Sequence, residues 1–116
     1  MLFRSTKVNI NELINHNIIF VDVTADWCAT CQFNKFTVLN SKLVQNAFIE
    51  NKVIKVRGDW TKPSKQIEEY LNSYNRFGIP FNIMYNKDYP KGIILSELLS
   101  TSEIINMIEK LNKDNK

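Results

Sequence analysis

The sequence is poor in the residues that build disulfide scaffolds, metal sites and flexible linkers. Its 116 residues include two cysteines, one histidine, three glycines and three prolines. Two cysteines are too few for a fold held by several disulfides, and the histidine, His16, is too distant in sequence to complete a zinc site with them. A Gly/Ser linker and internal repeats are also missing. We therefore expect a single domain over residues 1–116 that binds no metal.

Long hydrophobic runs and blocks of one charge are missing as well. The longest apolar run, residues 18–21, is far too short to cross a bilayer, and the first residues lack the pattern of a signal peptide. The net charge is +3, with 15 basic and 12 acidic residues spread along the chain, which does not indicate nucleic-acid binding. A hydrophobic fraction of 44% and an aromatic fraction of 11% exclude disorder.

The hydrophobic pattern predicts strands and helices that alternate along the chain. A segment that is apolar on both faces and rich in β-branched residues, 18–24, is typical of a central strand covered on both sides. We expect Ser64 and Ser100 to cap helices and residues 86–92 to form a turn. The predicted strands are 2–8, 18–24, 53–58, 81–85 and 93–95, and the predicted helices are 9–17, 27–39, 41–50, 64–74 and a last one from residue 100. This order predicts an α/β sandwich whose sheet begins parallel and ends in an antiparallel hairpin.

Two closely spaced cysteines directly after the central strand carry the chemistry. In Trp27-Cys28-Ala29-Thr30-Cys31, Cys28 is expected at a helix N-terminus, where free N–H groups and the helix dipole stabilise a thiolate. Cys31 lies one turn deeper, close enough to form a disulfide with Cys28 and to resolve a mixed disulfide. The alternatives are two inert buried cysteines, or half of a zinc site shared between two copies. Haem attachment is excluded because Gln32 stands where a histidine is needed.

Asp22 and Pro80 are the other residues that the pattern singles out. Asp22 lies within the doubly covered strand, where burial should raise its pKa. It can lie beneath the disulfide and exchange a proton with Cys31; the alternative is a structural carboxylate, hydrogen-bonded and facing a loop. Pro80 opens a strand, and a cis Ile79–Pro80 bond would keep the chain clear of the cysteines. It would also leave the Ile79 backbone free to pair with an extended substrate.

The sequence resembles the thioredoxin superfamily. The resemblance rests on the order and spacing of Asp22, Trp27-Cys28-x-x-Cys31 and Ile79-Pro80. Segments 21–31, 58–61 and 76–80 are most similar to the C-terminal periplasmic domains of the DsbD family of thiol:disulfide interchange proteins. The resemblance implies an α/β thioredoxin-like fold, with a mixed sheet of five strands in the order 1-3-2-4-5 flanked by helices. The strand of Asp22 would be central.

The resemblance also implies an activity, a location and a role for each residue. The chain would be a protein-disulfide reductase in which Cys28 attacks, Cys31 resolves and Asp22 exchanges a proton, with the cysteine pair as its only redox group. It would pass electrons from a membrane-embedded cysteine pair to a periplasmic acceptor domain, as the periplasmic, monomeric part of an inner-membrane protein. The residues expected to contact substrate are Trp27, Ile79 and Pro80. The alternatives are a free-standing cytoplasmic reductant and a redox-inert interaction module.

Lys35 departs from the family pattern. It stands four residues after Cys31, where the family commonly carries an acidic residue, and shares a helix face with both cysteines. A cation there favours a thiolate and an ionised Asp22. Asp26, a different acid two residues before Cys28, is expected near the surface and is a second candidate for the site.

Overall fold

Strands and helices alternate along residues 2–3 and 8–114, which are the residues that the computed structural model describes. The strands are β1 (Leu2–Phe3), β2 (Val8–Asn9), β3 (Ile19–Thr24), β4 (Ile54–Asp59), β5 (Phe81–Asn86) and β6 (Tyr89–Ile94). The helices are α1 (Ile10–Leu13), α2 (Ala29–Asn34), α3 (Lys42–Glu50), α4 (Lys65–Ser73) and α5 (Thr101–Asp114), and a π-helical segment (Lys35–Leu39) continues α2.

A mixed sheet of four strands, in the order β4-β3-β5-β6, forms the centre of the fold. Strand β3 is parallel to β4 and antiparallel to β5, and β5 is antiparallel to β6. Every residue of β5 is buried, and Asp22 is the one residue of β3 that is partly exposed. The predicted α/β class is therefore confirmed, with the doubly covered strand at the centre and the last four strands in the predicted order.

The N-terminal strand differs from the prediction. In place of one strand over residues 2–8 at the edge of the sheet, β1 and β2 pair antiparallel with each other, with Leu2 opposite Asn9. Residues 4–7, which complete the predicted strand, lie outside the described part. Within the described residues the central sheet has four strands and not five. Hydrophobic pattern predicts that a short segment is extended, but not which neighbour it pairs with.

Several element ends also differ from the predicted ones. The first helix ends at Leu13 and not at residue 17. The His16 N–H donates to the Leu13 carbonyl only three residues back, which closes a turn instead of continuing the α-helix. The predicted turn over 86–92 is shorter, and β6 already begins at Tyr89. Pro90 is tolerated there because β6 is an edge strand, where a missing N–H need not break a ladder.

The predicted serine caps are present at two helices. Ser64 Oγ accepts the N–H of Ile67 at the start of α4, and Ser100 Oγ accepts the N–H of Glu103 at the start of α5. The Glu103 carboxylate does not return to Ser100, as it would in a capping box, but accepts the N–H and hydroxyl of Ser96. It therefore fastens the loop before α5 to that helix.

The central sheet separates two hydrophobic clusters. Ile19, Val21 and Val23 of β3 face the cluster that contains residues of α1 and α4, and Phe20 faces the cluster built with α3 and α5. Because side chains alternate along a strand, Asp22 shares the face of Phe20. In the described chain no helix is both long and apolar enough to cross a bilayer.

Candidate active site

Cys28 and Cys31 form a disulfide at the start of α2. Their Cα atoms are 5.2 Å apart, and their residues are 6% and 4% exposed. The helix begins at Ala29, not at residue 27 as predicted, and Cys28 is its N-cap in an extended conformation. The Cys28 Sγ atom accepts the backbone N–H of Cys31 at 3.2 Å. The same N–H is placed to stabilise a Cys28 thiolate once the disulfide is reduced, and the first turn of α2 holds no acidic residue that would oppose it.

The loop before β5 lies against the disulfide. The Ile79–Pro80 peptide is cis. Pro80 is buried, and the half-buried Ile79 packs against a small cluster formed by Ala25, Cys28 and Cys31. Ile79, about fifty positions later in the chain, thus contacts the cluster that contains the cysteine pair.

Trp27 is exposed and is held by the segment that follows β4. Its side chain is 62% exposed, its indole N–H donates to the Thr61 carbonyl at 3.2 Å, and its ring lies 6.2 Å from that of Trp60. The Thr61 hydroxyl accepts the backbone N–H of Asp26 and donates to the Asp59 carboxylate at 2.6 Å. Hydrogen bonds from Thr61 lower the Asp59 pKa. Asp26 itself is exposed, as predicted, and the 59–61 segment braces the loop that carries the cysteines.

Asp22 accepts a hydrogen bond from a neighbouring strand. Its Oδ1 atom lies 2.7 Å from Asn82 Nδ2, and the two residues are register partners on β3 and β5. Burial raises the Asp22 pKa, as predicted, while the Asn82 hydrogen bond and the charges of Arg57 and Lys35 oppose the rise. The carboxyl group is hydrogen-bonded, as the structural alternative expects, and its partner lies within the sheet.

A partly open pocket of about 230 Å³ reaches Asp22 from the side of α3. Its wall includes the aromatic rings of Phe20 and Phe48, and its charged lining, besides Asp22, consists of Lys35, Lys55 and Arg57. The pocket brings Lys35 and Asp22 to one place, so the cation that departs from the family pattern acts on Asp22, whose pKa it lowers. It also gives Asp22 a route to solvent that does not pass over the disulfide.

Asn34 and Asn82 are two residues of the site region that sequence reasoning missed. Asn34 is 2% exposed; its side-chain amide donates to the Glu97 carbonyl at 2.8 Å and accepts the Leu99 N–H at 3.1 Å. It fixes the end of α2 to the loop before α5. Both asparagines carried a signal in the sequence: Asn34 shares a helix face with Cys31 and Val38, and Asn82 is the one amide in the otherwise apolar segment 81–85.

The π-helical segment also escaped prediction. The expected helix over 27–39 is regular only to Asn34, after which the Asn40 N–H donates to the Lys35 carbonyl at 2.8 Å. A single π turn does not change the hydrophobic period enough to be visible in a sequence.

The arrangement can exchange a dithiol for a disulfide. It combines a cysteine at a helix N-cap, a second cysteine one turn on, and a largely desolvated carboxyl group on the strand that precedes them. Over the residues whose side chains are described, no group of three or more histidine, cysteine, aspartate or glutamate residues could hold a metal ion.

Comparisons with known sequences point to one family. A family model described as thioredoxin-like matches residues 15–87. Thiol:disulfide interchange protein DsbD of Actinobacillus pleuropneumoniae is 29% identical over 97 residues, which are 80% of this chain and 16% of that protein. The protein of the same name from Haemophilus influenzae is 27% identical over 99 residues, which are 83% of this chain and 17% of that protein. The chain thus spans about a sixth of the length of these relatives.

Solved structures share the fold. The oxidised C-terminal domain of Neisseria meningitidis DsbD superimposes with a TM-score of 0.73 at 19% identity, covering 96% of this chain and 99% of that one. A thioredoxin from Thermus thermophilus gives a TM-score of 0.66 at 14% identity, covering 85% of this chain and 76% of that one.

Proposed function

The chain belongs to the thioredoxin-like family, and from this premise we propose that it is a thiol:disulfide oxidoreductase that reduces disulfides in other proteins. One observation carries the proposal: the Cys28–Cys31 disulfide lies at a helix N-cap, with the Cys31 N–H directed at Cys28 Sγ. That donor favours the thiolate of Cys28, which is the form that attacks a disulfide. Two inert buried cysteines would not need it.

In the first step the Cys28 thiolate attacks one sulfur of a substrate disulfide. A bond forms between Cys28 Sγ and that sulfur, the substrate S–S bond breaks, and the departing substrate thiolate takes up a proton. Trp27, Ile79 and Pro80 form the surface that receives the substrate. The exposed indole offers apolar contact, and the Ile79 backbone next to the disulfide offers hydrogen bonds to an extended chain.

In the second step Cys31 resolves the mixed disulfide. The Cys31 thiol gives up a proton, and its sulfur attacks Cys28 Sγ. The Cys28–Cys31 bond forms, the bond between Cys28 and the substrate breaks, and the second substrate sulfur leaves as a thiolate that takes up a proton. Two electrons have then passed from the dithiol to the substrate. Asp22 accepts the proton of Cys31, directly or through water, and releases it to solvent through its pocket. The raised pKa of Asp22 supports this role, because a general base works best with a pKa near the ambient pH.

At a finer level we propose a relay across a membrane. The chain would be the periplasmic C-terminal domain of an inner-membrane protein, monomeric as a domain over residues 1–116, taking electrons from a membrane-embedded cysteine pair and giving them to a periplasmic acceptor domain. The two relatives named DsbD support this reading, as does the fold shared with a DsbD C-terminal domain. The competing reading is a cytoplasmic reductant. The gene sequence upstream of Met1 separates them, since the relay requires membrane-spanning helices encoded there.

Trapping of a mixed disulfide tests the exchange chemistry. The reduced wild-type protein is expected to reduce insulin disulfides, and Cys28→Ser to abolish that activity. Cys31→Ser should accumulate a mixed disulfide through Cys28, seen as a mass increase that dithiothreitol removes. Trapping through Cys31 would reverse the two roles. A wild-type protein that forms no Cys28–Cys31 disulfide under mild oxidation would instead be a redox-inert interaction module.

A further inference from the structure

A polar row crosses the centre of the sheet. Asp22 on β3 is the register partner of Arg57 on β4 and of Asn82 on β5. Register partners on adjacent strands project to the same face, so a cation, a carboxyl group and an amide lie side by side. The surrounding residues of β3 and β5 are buried and largely apolar. A buried amide beside a carboxyl group is not needed to build such a sheet.

Only one of the two polar atoms in the Asn82 side chain has a hydrogen-bond partner among the residues described. The residue is 2% exposed; its Nδ2 donates to Asp22 Oδ1, while its Oδ1 is buried and has no hydrogen-bond partner among the residues described. Buried polar atoms nearly always have a partner. An amide presents a donor and an acceptor that exchange places when the group turns by half a revolution. The unused carbonyl is thus the complement of a protonated carboxyl group.

We propose that Asn82 is a positioning residue for Asp22: its amide donates to the ionised carboxylate and, by turning, accepts the O–H of the protonated acid. This rests on the proposed function, in which Asp22 takes up and releases the proton of Cys31. In each protonation state one atom of the amide is bonded to Asp22 and the other is not. The carboxyl group is therefore held in one orientation through the whole cycle.

Other charged groups lie near Asp22. Lys35 lines its pocket from the π-helical segment, and Lys55 and Arg57 line it from β4; of these, Arg57 and Lys35 lower the Asp22 pKa. All three cations are exposed, so solvent weakens their effect on the carboxyl group. The Asn82 amide is buried and in direct contact, so its removal should have the larger effect.

An NMR titration of the oxidised protein tests this. The Asp22 carboxyl carbon is followed against pH in wild type and in Asn82→Leu, which has a similar volume and no amide. We expect the midpoint to rise by about one pH unit. The amide's bond to the ionised carboxylate is charge-assisted and stronger than its bond to the protonated acid, so losing both bonds costs the charged form more. Asn82→Ala, which adds no bulk, should shift it in the same direction. Asn72→Leu, an exposed asparagine of α4, should leave it unchanged.

The turning amide has a signature of its own. The side-chain NH₂ signals of Asn82 should change with the same midpoint as the Asp22 carboxyl carbon, and that change should disappear in Asp22→Asn. An unchanged Asp22 midpoint in folded Asn82→Leu and Asn82→Ala, or amide signals that do not follow Asp22, would overturn the proposal. The measurement uses the oxidised protein and no substrate, so its result does not depend on reductase activity. Failure of this proposal can therefore be distinguished from failure of the proposed function.

Discussion

Replacing Asp22 by asparagine should stabilise the protein at neutral pH. Asp22 is the least exposed of the site's carboxyl groups, and burial raises its pKa above the ordinary value of 3.8. The substitution removes the buried charge but keeps the shape, and the new amide oxygen can still accept the hydrogen bond from Asn82 Nδ2. The variant therefore loses an unfavourable charge without losing a contact.

The sign follows from proton binding. Below pH 3.8 Asp22 is protonated in both the folded and the unfolded chain, so its titration does not change the free energy of unfolding there. Above that pH the unfolded chain releases the proton first, and the folded state loses stability until the pH passes the raised pKa. Each unit by which folding raises a carboxyl pKa corresponds to a loss of about 1.4 kcal/mol. Asp22→Asn removes that loss, so its unfolding midpoint in urea should be higher than that of wild type at neutral pH, with an unchanged slope.

Urea unfolding between pH 3 and pH 8 measures the effect. The curves of wild type and Asp22→Asn should coincide near pH 3 and separate as the pH rises. Asp26→Asn removes a charge from an exposed neighbour and should change stability by less than about 0.5 kcal/mol. In the same Asp22→Asn variant, Cys31 should resolve a mixed disulfide more slowly. If Asp22→Asn is strongly destabilised and exchanges disulfides at the wild-type rate, Asp22 is a structural residue and the proton-exchange role is wrong.

Two further substitutions test the surroundings of the cysteines. Lys35→Glu should slow alkylation of Cys28 by iodoacetamide at neutral pH, because a carboxylate disfavours the thiolate. The control Lys87→Glu, at the distant hairpin turn, should not. If the alkylation rates of wild type and Lys35→Glu agree at every pH, Lys35 is only a solvated surface residue. Asn34→Ala should lower the free energy of unfolding by about 2–4 kcal/mol, since it leaves two backbone groups of the 97–99 loop unpaired. A urea midpoint equal to that of wild type would show that water replaces both bonds.

The cysteine pair could be predicted because its chemistry depends on local sequence. Spacing places Cys28 and Cys31 one helical turn apart, and the preceding apolar strand places them at the start of a helix. Burial of Asp22 follows equally from its position in an apolar, β-branched segment. These inferences need only the repeat of a helix or a strand. The structure agrees on the cysteine pair, and burial does raise the Asp22 pKa, although Asp22 is the one residue of β3 that stays partly exposed.

Contacts between distant segments could not be predicted in the same way. The hydrogen bond from Asn82 to Asp22 depends on the register of β3 against β5, and the bonds of Asn34 depend on where the 97–99 loop passes α2. The pairing of β1 with β2 also depends on tertiary structure, because a two-residue strand carries too few side chains to specify its partner.

The sequence by itself determined that a redox-capable cysteine pair begins a helix after a central buried strand, because helix and strand periods act over a few residues. Only the tertiary structure decided what surrounds that pair: Ile79 against the disulfide, Asn82 and Arg57 beside Asp22, and a pocket that links Asp22 to solvent. The reason is physical. The pKa of a carboxyl group within a sheet depends on which side chains the neighbouring strands place at its register position. That register is set by the packing of the whole sheet.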